Sequence, residues 1–407
     1  MPSSSAAIPM PEVRPRPTPL AALWFGLQFV WGALLAVSLQ SRSAALAPQS
    51  AVWAYALIAA IGALVATLVQ LVVGPLSDRS RARAGTRVAF YRTGVVLAVP
   101  AIVWFYLAPD YTNLVAAFFL VQFAMNVATG PYQAVIPDYV APDEAGAASS
   151  RMSVFQSLGN AGGLLAAGFI ADLRVVAAVL VAMLLGSYAI TARHIARLRP
   201  HPVRSVRVRI DAPFRTLLAS RGAINLGFYT LLGFLFFYVK QSLNVSDVRT
   251  QTALLFLTFT LCGVAGALIA ARPADRFDKR GVVIVANGLV AIALITLALT
   301  GSLGVAYFAA AVAGTAWGAY FTADWALACT LLPRNAMGAA MGVWNVASAA
   351  PQIVAPLLAA PLVEKFNARS AGSGPRAAIV LAIVEFTIGA LWLYRLPPAA
   401  GAGERAA

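Results

Sequence analysis

Twelve long apolar stretches, divided six and six by one basic segment, constrain this chain more than any other feature of it. They lie near residues 20–40, 51–76, 88–108, 112–138, 148–170, 174–193, 217–240, 250–271, 281–301, 305–332, 337–363 and 377–395. A stretch of roughly 17 to 25 apolar residues crosses the hydrocarbon core as a helix, and a helix bonds all of its own backbone groups where no water reaches them. The expected fold class is therefore an all-α integral membrane protein with twelve transmembrane helices in two six-helix bundles. The expected divisions are a disordered cytoplasmic tail over 1–18, a first bundle over 19–193, a basic cytoplasmic linker over 194–216, a second bundle over 217–395 and a short tail over 396–407.

Charge placement settles the meaning of a net +15. Only 11% of the residues are charged, against about 25% in a soluble domain. With the N-terminus in the cytoplasm, 23 of the 30 Lys and Arg residues fall inside, and seven fall outside: Arg42, Arg174, Lys240, Arg249, Lys365, Arg369 and Arg376. This positive-inside bias predicts a multi-pass protein of the plasma (inner) membrane with both termini cytoplasmic. The basic balance then reports topology, and no nucleic-acid partner is expected. Cys262 and Cys329 both sit in apolar stretches, and the two histidines, His194 and His201, are placed in the central linker, so no metal site is expected. The Ser- and Pro-rich start lacks the apolar core and small-residue cleavage site of a signal peptide, which makes the first stretch a retained helix.

Enzymatic chemistry finds no foothold. The chain has no G-x-x-x-x-G-K-[ST] loop, no H-E-x-x-H and no G-x-S-x-G at a strand-to-helix turn. No cofactor is expected, and any work the protein does must draw on an ion or solute gradient.

An internal repeat underlies the six-plus-six pattern. The loop after the second stretch reads GPLSDRSRARAGTR (Gly74 to Arg87), and that after the eighth reads RPADRFDKRG (Arg272 to Gly281). Asp78-Arg79 and Asp275-Arg276 are 197 residues apart. Gly130-Pro131-Tyr132-Gln133-Ala134 in stretch four has a looser counterpart in Gly318-Ala319-Tyr320 and Trp325-Ala326 of stretch ten. The first loop resembles the signature loop of the major facilitator superfamily, G-x-L-x-D-R followed by basic residues, and the likeness covers nearly the whole chain. It implies two bundles related by a pseudo-twofold axis along the membrane normal, with a solute site between them near the midplane. It also implies a cytoplasmic gate at Asp78, Arg79, Asp138, Asp275 and Arg276. Asp78 would lie near the N-terminus of a neighbouring helix, where a negative charge is favoured by about 0.3–1 kcal/mol and can bias alternating access.

A narrower likeness lies in VQLVVGPLSDRSRARAGTRVAFY, NVATGPYQAVIPDYV and INLGFYTLLGFLFFYVKQSL. These resemble the glycoside-pentoside-hexuronide cation symporters and their sucrose-transporter-like relatives, which import sugars with Na⁺ or H⁺. Na⁺-coupled members carry acidic residues on helix two, whereas Ala66 to Gln70 has none, a departure from the family that speaks against Na⁺ coupling and leaves H⁺ as the expected coupling ion.

Polar side chains inside the stretches mark the faces that turn away from lipid, because burying an unpaired polar group costs a few kcal/mol. Gln122, Asn126, Thr129 and Gln133 recur at i, i+4, i+7 and i+11, one face of a helix. Ser153, Gln156 and Asn160 follow in stretch five, and Trp24, Gln28 and Trp31 lie in stretch one. Asn225 and Tyr229 mark stretch seven, Trp317, Tyr320 and Asp324 stretch ten, and Asn345, Ser348 and Gln352 stretch eleven. Amides bond hydroxyls while aromatic faces stack on the apolar side of a sugar ring. The substrate-binding set expected is Gln28, Gln122, Asn126, Gln133, Gln156, Asn160, Asn225, Tyr229, Trp317, Tyr320 and Asn345. The rival reading makes each of these interhelical glue, contributing about 0.6–2 kcal/mol per bond.

Asp324 is the candidate coupling carboxylate, since an intramembrane acid can take up and release a proton; the alternative is a structural carboxylate bonded to neighbouring helices or to cytoplasmic water. Glu385 lies nearer mid-membrane, on a helix that the resemblance puts outside the central cavity. Glycines 159, 162, 163, 263 and 266 are expected at close helix crossings, and Pro351, Pro356 and Pro361 to bend stretch eleven. These expectations converge on a monomeric secondary transporter moving a small polar solute, a sugar or glycoside, with protons. An exporter of amphiphilic drug-like compounds on the same fold is the alternative, followed by a membrane-embedded binding or delivery protein without a transport cycle.

Overall fold

The computed structural model describes residues 15–140, 144–199, 211–276, 278–331 and 337–396. Twelve long helices run through these residues: α1 Pro17–Leu46, α2 Ala51–Ala84, α3 Val88–Leu107, α4 Tyr111–Tyr132, α5 Ala145–Phe169 and α6 Leu173–Ile195 form the first half. In the second half follow α7 Ala212–Ser242, α8 Val248–Arg276, α9 Lys279–Leu299, α10 Leu303–Leu331, α11 Met337–Asn367 and α12 Ser373–Trp392. Among the described residues, all but α5 and α11 are long and apolar enough to cross a membrane. Leu268, Leu299 and Phe308 are all more than 60% exposed on outward faces, as side chains that meet lipid rather than water would be.

Local chemistry sets where the helices begin and end. Asp110, Asp172, Asp211 and Asp278 each accept a backbone N–H at the start of α4, α6, α7 and α9, satisfying one orphan donor of the first turn. α2 does not stop near residue 76 as expected. It runs through most of the basic loop to Ala84 and ends where Gly85 takes a left-handed φ of 70°. α4 is shorter than expected because Pro131 offers no N–H to its last turn, and a separate turn, Val135–Tyr139, carries Asp138. α6 extends to Ile195, so His194 belongs to a helix rather than to the linker, and its Nε2 accepts the Arg16 N–H at 2.9 Å. His201 lies outside the described residues. α11 continues as a helix through all three of its prolines.

The repeat expected from the two basic loops is present in the packing. α1 packs on α5 and α6, α2 on α4, and α3 on α4 and α6; six helices later α7 packs on α11 and α12, α8 on α10, and α9 on α10 and α12. The halves meet along α2 with α11 and α5 with α8, which are again equivalent pairs. One buried core gathers around Leu27, Phe105, Phe118 and Met125 of the first half and continues into the second through Phe234, Phe237 and Val363, and another lies within the second half around Leu217, Val290, Tyr320 and Phe386. A π-helical turn interrupts α1 at Leu34–Ser38, and another ends α7 at Tyr238–Ser242.

Small residues let the crossing backbones touch. A Cβ at Gly163 would run into the Phe29 carbonyl, and one at Gly159 into that of Phe25, across the α1–α5 seam. Gly266 meets Thr315 and Gly318 meets Gly263 in the same way across α8–α10. Gly163→Ala would gain about 1 kcal/mol from helix propensity alone. The backbone clash is expected to reverse that into a net loss of about 1–3 kcal/mol, read as a lower denaturation midpoint in detergent. An unchanged or raised midpoint would mean the seam has room to spare.

Candidate functional site: a cavity between the halves

One seal and a space define the centre of the molecule. At the end bearing the α1–α2, α5–α6 and α7–α8 connections the halves are joined. Arg249 Nη2 donates to the Ala167 and Ile170 carbonyls at 2.6 and 3.0 Å, and Thr250 Oγ1 to that of Gly168 at 3.0 Å. A cation thus covers the orphan carbonyls at the C-terminus of α5. Beside it the Tyr55 ring packs on Phe234 and Phe237, with centroids 5.7 and 5.8 Å away. Every hydrogen bond and ring contact that the described residues make with one another across the halves falls at this end.

Between this seal and the basic-loop end lies a cavity of about 660 Å³. Its walls differ in chemistry. The first half contributes Gln28, Thr67, Gln70, Gln122, Asn126, Thr129, Gln133 and Asn160 interleaved with apolar residues such as Trp31, Leu35 and Leu71, whereas the second contributes Phe228, Tyr229, Leu232, Phe256, Ile353 and one amide, Gln352. No charged side chain is among the described lining residues. The amides form a connected surface: Gln70 Nε2 donates to Asn126 Oδ1 at 2.7 Å, and Asn126 Nδ2 donates to the Gln122 carbonyl at 2.8 Å and to its Oε1 at 3.2 Å. Across from them Gln352 Nε2 donates to the Tyr229 hydroxyl at 2.8 Å. The buried hydroxyl of Thr129 has no hydrogen-bond partner among the described residues.

Of the expected binding residues, Gln28, Gln122, Asn126, Gln133, Asn160 and Tyr229 stand on this wall. Gln156, Asn225, Trp317 and Tyr320 do not. Asn225 is buried and bonds back to the Arg221 carbonyl at 2.9 Å. Trp317 stacks on Phe228 at 4.6 Å and lies 4.9 Å from Tyr320, which is wholly buried in the second core. The face these residues share turns into the bundle, where packing, not a cavity, receives it. Asn345 falls in α11 and Asp275 and Arg276 in α8, with side chains outside the described residues. Sequence reasoning missed Thr67 and Gln70; their signal was a polar pair at i, i+3 inside an otherwise apolar α2.

Asp324 is a member of a buried ion pair. Its carboxylate meets the Arg221 guanidinium of α7, with both side chains at most 7% exposed, and the Arg221 guanidinium also lies over the Phe321 ring. The pair ties α10 to α7 behind the cavity wall.

The basic end of the first half carries a second charged cluster. Arg87 donates from Nη1 to Asp78 at 2.6 Å and to Ser77 Oγ at 2.7 Å, and from Nε to Asp138 at 2.8 Å. Arg81 Nε stands 3.3 Å from the other Asp138 oxygen. Asp78 is 68% exposed and Asp138 only 4%, so the carboxylate at the heart of the cluster is Asp138. Arg79, expected in this gate, is exposed instead, because the extension of α2 aligns Ser77 with Arg81 one turn later and turns Arg79 outward.

Comparison with known proteins places this architecture. The family described as the Major Facilitator Superfamily matches residues 20–356 and 222–406. The inward-facing, unoccupied crystal structure of a bacterial homolog of the human lysosomal transporter Spinster superposes with a TM-score of 0.70 at 16% identity, over 93% of this chain and 96% of that one. Its inward-facing, occupied form gives the same score over 92% and 95%. A mutant of the nucleoside transporter NupG also gives 0.70, at 10% identity, over 93% and 99%.

Proposed function

The chain belongs to the Major Facilitator Superfamily, a family of transporters rather than enzymes, and on that premise we propose that it carries an uncharged polar solute, a sugar or glycoside, across the bilayer by alternating access, driven by protons. The observation that supports this reading is the uncharged, two-sided wall of the central cavity. An ionised solute entering it would shed water without finding a counter-charge, which costs several kcal/mol. Hydroxyl groups, in contrast, can donate to the amide oxygens and accept from the amide N–H groups of the first half. The aromatic wall of the second half suits the apolar face of a ring. In this reading the seal at Arg249 and Tyr55 closes the outer side, the basic loops face the cytoplasm, and the solute leaves toward them. No cofactor takes part.

Uptake of a labelled sugar and glycoside panel into proteoliposomes, with and without an inward proton gradient, tests the proposal. Accumulation that needs the gradient is expected. Asn126→Ala removes the centre of the amide surface, and net hydrogen-bond contributions of about 0.5–1.5 kcal/mol translate into a two- to tenfold rise in KM, with the maximal rate little changed. The apolar second wall supports the exporter reading in one outcome: no sugar uptake but energised extrusion of an amphiphilic compound.

A further inference from the structure

Glu385 is a carboxylate the cavity does not explain. It projects from α12 at 5% exposure, and neither of its oxygens has a hydrogen-bond partner among the described residues. The seam it occupies is tight. Its neighbours Ala382 and Phe386 lie against Gly227 of α7, and the Gly389 carbonyl accepts the Ser220 hydroxyl at 2.7 Å. The group set beside the carboxylate is the Thr230 hydroxyl of α7, fully buried and likewise without a hydrogen-bond partner among the described residues. Thr230 adjoins Tyr229, which stands on the cavity wall and holds Gln352.

No described charge compensates Glu385. On α12 itself the other ionisable group is Arg376 in the first turn, which donates to the Thr300 carbonyl at 2.9 Å; on α7 they are Arg215, Arg221, Tyr229, Tyr238 and Lys240, and Arg221 is held by Asp324. On α9 they are Lys279 and Arg280 in the first turn, and on α11 Glu364 and Lys365 near the last. None is ion-paired with Glu385. An ionised carboxylate in such surroundings is far more costly than a neutral acid that bonds a neighbouring hydroxyl. Asp324 is in the opposite position, because a proton there would strip a buried guanidinium of its counter-charge.

We propose that Glu385, rather than Asp324, is the carboxylate that carries the coupling proton, neutral in the conformation described here and ionised when the α7–α12 seam admits water. The proposal rests on the reading of proton-driven transport. The proton passes from water on the entry side to a Glu385 oxygen and from there to water on the exit side, and no other bond changes. Ionisation puts a charge beside Thr230, so the state of the acid bears on the segment of α7 that presents Tyr229 to the solute.

Infrared difference spectroscopy of the purified, lipid-reconstituted protein across a pH step reads this without any solute. The C=O stretch of a buried protonated carboxyl is expected in wild type, absent from Glu385→Gln, retained in Asp324→Asn and shifted in frequency in Glu385→Asp, the variant to rely on where the glutamine form does not fold. Transport adds a second readout on the sugar panel. Glu385→Gln is expected to keep solute counterflow while gradient-driven accumulation falls to simple equilibration. A carboxyl band that survives in both Glu385 variants unshifted, or accumulation by Glu385→Gln equal to wild type, overturns the proposal. If wild type shows the band but transports none of the panel, the solute reading fails and the protonation site stands. If wild type accumulates solute without the band, only this proposal falls.

Discussion

Asp138→Asn is expected to cost about 3–5 kcal/mol of stability, because it leaves two buried guanidinium groups without the carboxylate they share. Arg87 and Arg81 approach its two oxygens at 2.8 and 3.3 Å, and all three side chains are at most 7% exposed. Asp78→Asn removes a bond of 2.6 Å from the same arginine, yet the Asp78 side chain is 68% exposed, and exposed pairs contribute only about 0–1 kcal/mol. The contrast is the test. Denaturation followed in detergent should separate the two variants widely, with the Asp78 variant close to wild type. The cluster also pins the α2–α3 connection to the turn after α4, so Asp138→Asn should slow solute uptake beyond what its folded fraction explains. Equal midpoints for both variants would remove Asp138 from the centre of the cluster.

What could be read from the sequence follows from what a membrane makes visible. Four amides and hydroxyls at helical spacing in α4 stand out because every lipid-facing position around them is apolar. The cavity wall they form was therefore legible before any coordinates. The same logic cannot separate a cavity from a bundle interior, since both lie away from lipid. Trp317, Tyr320 and Asp324 share a face just as clearly and are packed inside the second half. Charges near helix ends were ambiguous for another reason. Arg221 stands only four residues into the expected stretch 217–240, where topology alone accounts for an arginine; the fold shows that α7 begins earlier, at Ala212, and that Arg221 is buried against Asp324. Likewise the Asp-Arg pair of the signature loop drew attention to Arg79, while the continuation of α2 through the loop selects Arg81 and Arg87 as the buried partners.

Asp324→Asn is the second variant for which a large effect is expected, and its value lies in what it separates. If the Arg221–Asp324 pair is a strut between α7 and α10, removing one charge strands the other and costs about 3–5 kcal/mol, whereas replacing both by apolar residues of similar volume is often neutral or better. Arg221→Met with Asp324→Leu should then recover most of the stability lost by Asp324→Asn. Transport distinguishes a passive strut from a working one. A pair that stays closed throughout the cycle is dispensable once the space is refilled, so the double variant would transport as well as it folds. A pair that opens when α7 shifts against α10 within the second half contributes to the balance between the two conformations, and the apolar replacement would fold yet transport poorly, trapped on the side where the new contact is buried. Because α7 presents Tyr229 to the cavity while α10 stands behind it, the expected result is the second one: a stable double variant with solute counterflow much reduced. Full counterflow in that variant would assign the pair to folding alone and leave Glu385 as the only intramembrane carboxylate of the described residues with a part in the cycle.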